Sequence, residues 1–101
     1  MTQSPHRGDI WTLETGISVL VISSTVYNEI PSEPTVIVVP VFDTDPDTGF
    51  GVALGDDDWA APGLVTNLRK AKLSEHRRRI NVQALTEVNN MLFKILATPD
   101  R

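Results

Sequence analysis

Nine lysines and arginines are spread very unevenly along the chain, and six of them, Arg69, Lys70, Lys72, Arg77, Arg78 and Arg79, fall within eleven positions. Guanidinium and ammonium groups at such density are the side chains that hold phosphate oxygens, arginine as a bidentate fork and lysine as a point charge. Arg7 is the only other cation before Arg69. The opposite charge is also concentrated. Six of the thirteen acidic residues lie between Asp43 and Asp58, so a net charge of −4 says little about the partner, and the polarised distribution says more.

The remaining chemistry-bearing types are sparse. His6 and His76 are the only imidazoles; His76, beside Arg77 and Arg78, has the side chain of an acid or base near a phosphate, although an exposed histidine on a helix surface is the plainer reading. Trp11, Trp59, Phe42 and Phe50 offer stacking faces for unstacked bases. Trp11 alternates with Ile10 as a core residue would, and Trp59, within an acidic loop, is better placed for a protein contact. Asp43-x-Asp45-x-Asp47 imitates the start of a calcium loop, but Thr48 stands where glycine is required and Leu54 where the closing glutamate belongs. Neither a nucleophile-elbow serine nor a Gly-rich phosphate loop is present. With no cysteine there is no thiolate zinc site and no disulfide. No metal or cofactor is expected.

These residues need elements to position them. Asp9–Thr15 alternates apolar and polar residues as a half-buried strand does, and Ile17–Ser24 is dense in Val and Ile, as a strand covered on both faces would be. Thr15-Gly16 leaves room only for a tight antiparallel turn between them. Tyr27–Pro34 reads as loop. Thr35–Val41 is a third strand, and Pro40 places it at an edge or marks its end. Asp43–Gly49 is turn chemistry, Phe50–Leu54 returns as a strand, Gly55–Gly63 is loop, and Leu64–Leu68 is a short strand. Ser74 begins a helical turn through Arg79. Asn81 caps a helix whose apolar stripe is Val82, Leu85, Val88, Leu92 and Ile95 or Leu96, with Pro99 ending it. A chain of 101 residues forms one domain, residues 1–101. The expected fold is mainly β with a C-terminal helix packed on a small, twisted antiparallel sheet. No run reaches the length of a membrane helix, and the N-terminus is too polar for a secretory signal. A cytoplasmic protein with no membrane partner is expected.

Three segments in this order, Arg7-Gly8-Asp9-Ile10-Trp11, Val19-Leu20-Val21-Ile22-Ser23 and Pro34-Thr35-Val36-Ile37-Val38-Val39-Pro40, resemble the MazF/PemK (Kid-like) toxins of bacterial type II toxin–antitoxin modules. Val65–Arg69 is similar to that family's later strand, and Leu85-x-x-Val88-x-x-Met91-Leu92 to its closing helix. The resemblance implies the barrel-like sheet of the MazF, Kid and CcdB type. It also implies a homodimer, a cognate antitoxin, and metal-independent cleavage of single-stranded RNA by 2′-hydroxyl attack on the adjacent phosphate. It places the catalytic arginine at Arg69, on the developing phosphorane charge, and leaves Arg7, Lys70, Lys72, Arg77 and Arg78 to hold RNA.

Two departures qualify this. Where the family carries a serine or threonine after the strand's proline, this chain has Phe42, which neither donates nor passes a proton; Thr44 is the nearest hydroxyl and the substitute candidate. The connection Glu14–Ser18 is short where the family has a longer basic loop. The alternative they favour is a toxin-fold binding or regulatory protein without cleavage. A gyrase-directed toxin is disfavoured, because the tail Thr98-Pro99-Asp100-Arg101 has no aromatic residue.

Overall fold

In the computed structural model, residues 4–97 are described. The elements run β1 (Asp9–Leu13), β2 (Ser18–Val21), α1 (Thr25–Asn28), β3 (Thr35–Phe42), β4 (Val52–Gly55), β5 (Asp58–Ala60), β6 (Thr66–Arg69), β7 (Leu73–Arg79) and α2 (Val82–Ala97). The strands form one antiparallel sheet in the order β4-β5-β3-β2-β1-β7, with β6 also paired to β3. The fold class expected from the sequence is the one observed.

The β1–β2 hairpin follows from Thr15-Gly16. Leu13 donates to the Ile17 carbonyl at 2.8 Å and Gly16 to the Leu13 carbonyl at 2.9 Å, and Gly16 takes φ +91°, a conformation other residues adopt only with strain. Alternation then sends β2 to two cores. Leu20 joins Ile10, Val39, Val41, Leu54 and Val88 on the face that receives α2. Val19 and Val21 join Trp11, Val36 and Val38 on the other. A strand buried on both faces must be nearly all apolar, which is why this segment reads as it does.

Pro40 does not mark an edge. β3 is flanked by β2 on one side and by β6 and β5 on the other. The Pro40 carbonyl accepts from Ala61 at 3.0 Å, so its nitrogen faces that same side. There the chain leaves the sheet in a 3-10 turn, Pro62–Leu64, between the β5 and β6 pairings. A residue lacking an N–H is tolerated mid-sheet because the ladder is interrupted opposite it.

Three further segments differ from expectation. Thr25–Asn28 is a single helical turn capped by Ser24, whose hydroxyl accepts from the Tyr27 amide at 3.1 Å. The acidic stretch read as loop contains β5, with Trp59 half-buried in it. Ser74–Arg79 is not helical; it belongs to β7, which pairs with β1. An outer strand carrying charges on both faces shows no apolar alternation, and such charge protects an edge from further pairing. Asn81 caps α2 as expected, accepting from the Ala84 amide at 2.7 Å. The buried face, however, is centred on Ala84 and Val88, while Val82 is 79% and Leu96 70% exposed. Pro99 lies outside the described residues.

The two outer strands are tied together by ions. Arg78 on β7 donates to the β4 carbonyls of Leu54 and Gly55 (3.4 and 2.9 Å) and to Asp58 on β5 at 2.8 Å. Arg77, the extra residue where β7 bulges against Ile10 and Trp11, donates to both Asp58 oxygens (3.3 and 3.2 Å). Asp58 is therefore the clasp that curls the sheet around α2. Replacing Asp58 with Ala removes charged hydrogen bonds from a buried acceptor and is expected to cost about 2–3 kcal/mol. In a domain of this size that lowers the melting midpoint by about 10 °C or more, measurable by thermal melts; a shift under about 3 °C would refute the clasp.

Candidate nucleic-acid interface

The cations proposed from sequence divide into two groups. Arg69 ends β6 opposite Thr35. The Lys70 amide donates to the Pro34 carbonyl at 2.9 Å, and its ammonium donates to the Ile30 carbonyl at 3.1 Å. Lys72 closes the 3-10 turn Lys70–Lys72. The Arg7 amide is held by the Thr25 hydroxyl at 3.1 Å, which brings its backbone beside α1. Among the described residues, none of the side chains of Arg7, Arg69, Lys70 and Lys72 forms an ion pair with a carboxylate.

Of these four, Lys70 lines a groove of about 530 Å³, together with Pro5, Trp11, Asn28, Glu29, Pro31 and Leu73. Asn28 builds it. Its buried amide donates to the Pro5 and Ser23 carbonyls (3.0 and 3.1 Å) and accepts from the Ser23 hydroxyl, fixing the N-terminal segment, the end of β2 and α1 to one another. The Thr35 hydroxyl and amide both donate to Glu33 (2.7 and 3.3 Å). The hydroxyl bond is the main reason that carboxyl lies below its usual range, and Lys70's charge adds to it.

Arg77, Arg78 and Arg79 form the second group, and their charge is engaged within the protein. Arg77 and Arg78 share Asp58, and Arg78 also lies 3.6 Å from Asp56. Arg79 donates to Asp9 at 2.8 Å. Asp9 is fully buried; burial pushes its carboxyl up, but hydrogen bonds from Arg79, the His6 amide and His76, with the Arg79 charge, outweigh this and hold it below its ordinary 3.8. His76 is on a strand and not on a helix surface, with Nε2 3.2 Å from Asp9 and its ring edge-on to Trp11, centroids 5.4 Å apart. A carboxylate-backed imidazole is thus a feature that reading the sequence missed. Its only signal was Asp9 in the Arg7-Gly8-Asp9 opening, a carboxylate in an apolar strand that needs a partner.

The structure does not bring Arg69 and Thr44 together. Arg69 pairs with the first residue of β3, and Thr44 lies past its last, Phe42. The seven steps between Thr35 and Phe42 span roughly 23 Å at about 3.3 Å per residue. Phe42 lines a second cleft of about 350 Å³ with Gly16, Ser18, Asp43, Asp58 and Arg77. The β1–β2 connection beside it is only the tight turn that Gly16 closes. Among the described residues no group of three or more His, Asp or Glu is placed to hold a metal ion, and no helix is long and apolar enough to cross a membrane.

Residues 6–96 match the family model described as the PemK-like, MazF-like toxin of type II toxin–antitoxin systems. No curated protein matches in sequence. In three dimensions the chain is similar to an endoribonuclease from a Mycobacterial species (TM-score 0.83, 18% identity, covering 100% of this chain and 99% of that one). It is also similar to an endoribonuclease solved with its cognate antitoxin from a Mycobacterial species (0.79, 20%, 99% and 100%). A third likeness is to a chain of the MazE–MazF complex from Deinococcus radiodurans (0.82, 20%, 96% and 100%). At these identities the likeness is one of fold.

Proposed function

The chain belongs to the PemK-like, MazF-like toxin family of type II toxin–antitoxin systems, and from that premise we propose that it is a cytoplasmic, metal-independent endoribonuclease cleaving single-stranded RNA. The observation that carries this reading is the cationic rim formed by Lys70 and its chain neighbours Arg69 and Lys72, beside a groove that Lys70 lines with Trp11, Glu29 and the prolines. A cation already paired with a carboxylate contributes little to phosphate binding, whereas among the described residues Arg7, Arg69, Lys70 and Lys72 have no carboxylate ion pair, Lys70 resting its ammonium on the Ile30 carbonyl. RNA lies along this rim. The 2′-hydroxyl attacks the neighbouring phosphate, the P–O5′ bond breaks, and a 2′,3′-cyclic phosphate and a 5′-hydroxyl end are left. Arg69 places its guanidinium fork on the phosphorane oxygens as their charge grows. Arg77 and Arg78, taken as RNA contacts from sequence, act instead through the clasp on Asp58. Thr44 can join Arg69 only from a second protomer.

Such a protomer has a surface to dock on. Phe93 and Leu96 are 73% and 70% exposed on α2, and Leu64 is exposed on the 3-10 turn whose Gly63 packs near Ile95. An apolar patch of this kind on a small domain is covered in a homodimer. The neutralising partner is an antitoxin, as in the neighbours solved with theirs.

The test is direct. Purified protein in EDTA is incubated with a labelled single-stranded RNA and with the same sequence carrying 2′-O-methyl groups. Fragments ending in cyclic phosphate from the first alone, with growth arrest on induced expression, are the expected result. A second reading, a toxin fold that binds without cleaving, is favoured by Phe42 and by the separation of Arg69 from Thr44. Intact RNA and undisturbed growth would establish that reading in place of the first.

A further inference from the structure

The groove that Lys70 lines is assembled from three parts of the chain. The N-terminal segment and the end of α1 give it Pro5, Glu29 and Pro31, the β6–β7 connection gives it Lys70 and Leu73, and β1 gives it Trp11. These parts are held to one another within the protein. The Asn28 amide donates to the Pro5 carbonyl at 3.0 Å. Lys70 reaches across, its amide donating to Pro34 at 2.9 Å and its ammonium to Ile30 at 3.1 Å. A groove formed in advance costs little ordering when it is filled.

Its walls and its charges suit different parts of one ligand. An indole is a surface on which an unstacked base packs, and two pyrrolidine rings and Leu73 add rigid apolar contact. Ile30 stands between Glu29 and Pro31 in the chain, so the Lys70 ammonium on its carbonyl lies at the same edge of the groove as Glu29. That bond uses one of three ammonium donors and leaves two for a phosphate. Glu29 is the one acidic residue of the lining. It is exposed, and among the described residues its carboxylate has no ion pair and no hydrogen bond.

Charge selects the occupant. Arg69 and Lys72 flank Lys70 in the chain and pair with no carboxylate, so a polyanion is drawn to this edge. Against a polyanion Glu29 is a penalty unless it meets a donor. The exocyclic amino groups of adenine, cytosine and guanine are such donors, whereas uracil sets carbonyl oxygens on both sides of its N3–H.

We propose that this groove is a base subsite. It takes one unstacked base of a single-stranded RNA, with a phosphate on Lys70 and an exocyclic amino group donating to Glu29, and it therefore disfavours uracil at that position. This deepens the ribonuclease reading and rests on its placing RNA along the rim.

Trp11 reports on the groove, and Trp59→Phe leaves it the sole tryptophan. The probes are short 2′-O-methyl homopolymers of adenosine, cytidine and uridine, which bind without offering a nucleophile for cleavage. Each is titrated into the Trp59→Phe chain for emission, and, 5′-labelled, into the unsubstituted chain for anisotropy. The expected result is a saturable change in Trp11 emission, with the uridine polymer bound about tenfold more weakly than the other two. Glu29→Gln, whose amide both donates and accepts, brings the three within about twofold of one another. A merely repulsive surface charge would instead raise all three together. Lys70→Ala weakens all three alike. Equal affinities for the three polymers overturn the proposal. Binding seen by anisotropy without a change in Trp11 emission also overturns it, and leaves RNA on the rim outside the groove. An emission change given equally by the acidic peptide Gly-Glu-Leu-Glu-Gly would make the groove a protein site instead. No binding up to about 1 mM, an affinity floor for specific contacts, removes the subsite and the rim together.

Discussion

Replacing Arg69 with alanine is expected to lower single-turnover RNA cleavage by about a hundredfold or more, the usual consequence of removing one preorganised donor from a developing oxyanion. The melting midpoint should hardly move, since exposed side chains without partners contribute within about 0.5 kcal/mol to stability. Arg69 is such a side chain: it sits at the end of β6, exposed, and among the described residues it makes no side-chain hydrogen bond or ion pair. Arg69→Lys separates charge from shape. The ammonium restores the point charge but not the bidentate fork, so its rate should fall between those of Arg69 and Ala. Lys72→Ala, by contrast, should weaken RNA binding and its salt dependence with little effect on the bound rate, as expected for a group that neutralises one phosphate. Rates measured at saturating enzyme, with melts of the same preparations, distinguish these outcomes. Cleavage by Arg69→Ala within about threefold of wild type, a loss under about 1 kcal/mol, would remove Arg69 from the reaction.

How much of this was legible in the chain depends on the range of the interaction concerned. The β1–β2 hairpin, β3 and the Asn81 cap were readable because turn chemistry, β-branched alternation and capping act over a few residues. β7 was not, because His76, Arg77, Arg78 and Arg79 leave no apolar period; only the need of β1 for a second neighbour makes them a strand. Pro40 looked like an edge signal, and its tolerance depends on the Pro62–Leu64 turn more than twenty residues away in sequence. On α2 the hydrophobic stripe named Val82, whereas the helix buries the small Ala84, since close approach to β4 favours a small side chain over a large one.

The site divides along the same line. The cluster of cations was plain, but which of them are free was not. Asp58 engages Arg77 and Arg78 across 19 and 20 residues, and Asp9 engages Arg79 across 70. Those pairings engage three of the seven cations within the protein, and under the ribonuclease proposal they leave Arg7, Arg69, Lys70 and Lys72 to meet RNA.

Asp9 is the position where the largest loss of stability is expected. Its carboxylate is wholly buried and receives Arg79 Nε and the His6 amide, each at 2.8 Å, with His76 Nε2 3.2 Å away, joining the N-terminal segment, β1 and β7. Removing a buried charge from its partners costs up to about 5 kcal/mol when they are left buried. Arg79 is half-exposed and recovers water, so Asp9→Ala should cost nearer about 2–4 kcal/mol, the scale of lost hydrogen bonds to a charged group. The midpoint would then fall by about 10–20 °C. The sign of the pH dependence follows from the direction of the shift. The folded carboxyl titrates below its ordinary 3.8. Its contribution is therefore fully present above the unfolded value and is lost as pH falls from there through the lowered folded value. Asp9→Asn lacks this component, so the stability gap between wild type and Asp9→Asn should be constant above about pH 5 and narrow on acidification below about pH 4. Urea melts of both proteins across that window measure it. A gap that does not narrow anywhere on acidification would show that Asp9 holds β1 to β7 by packing alone.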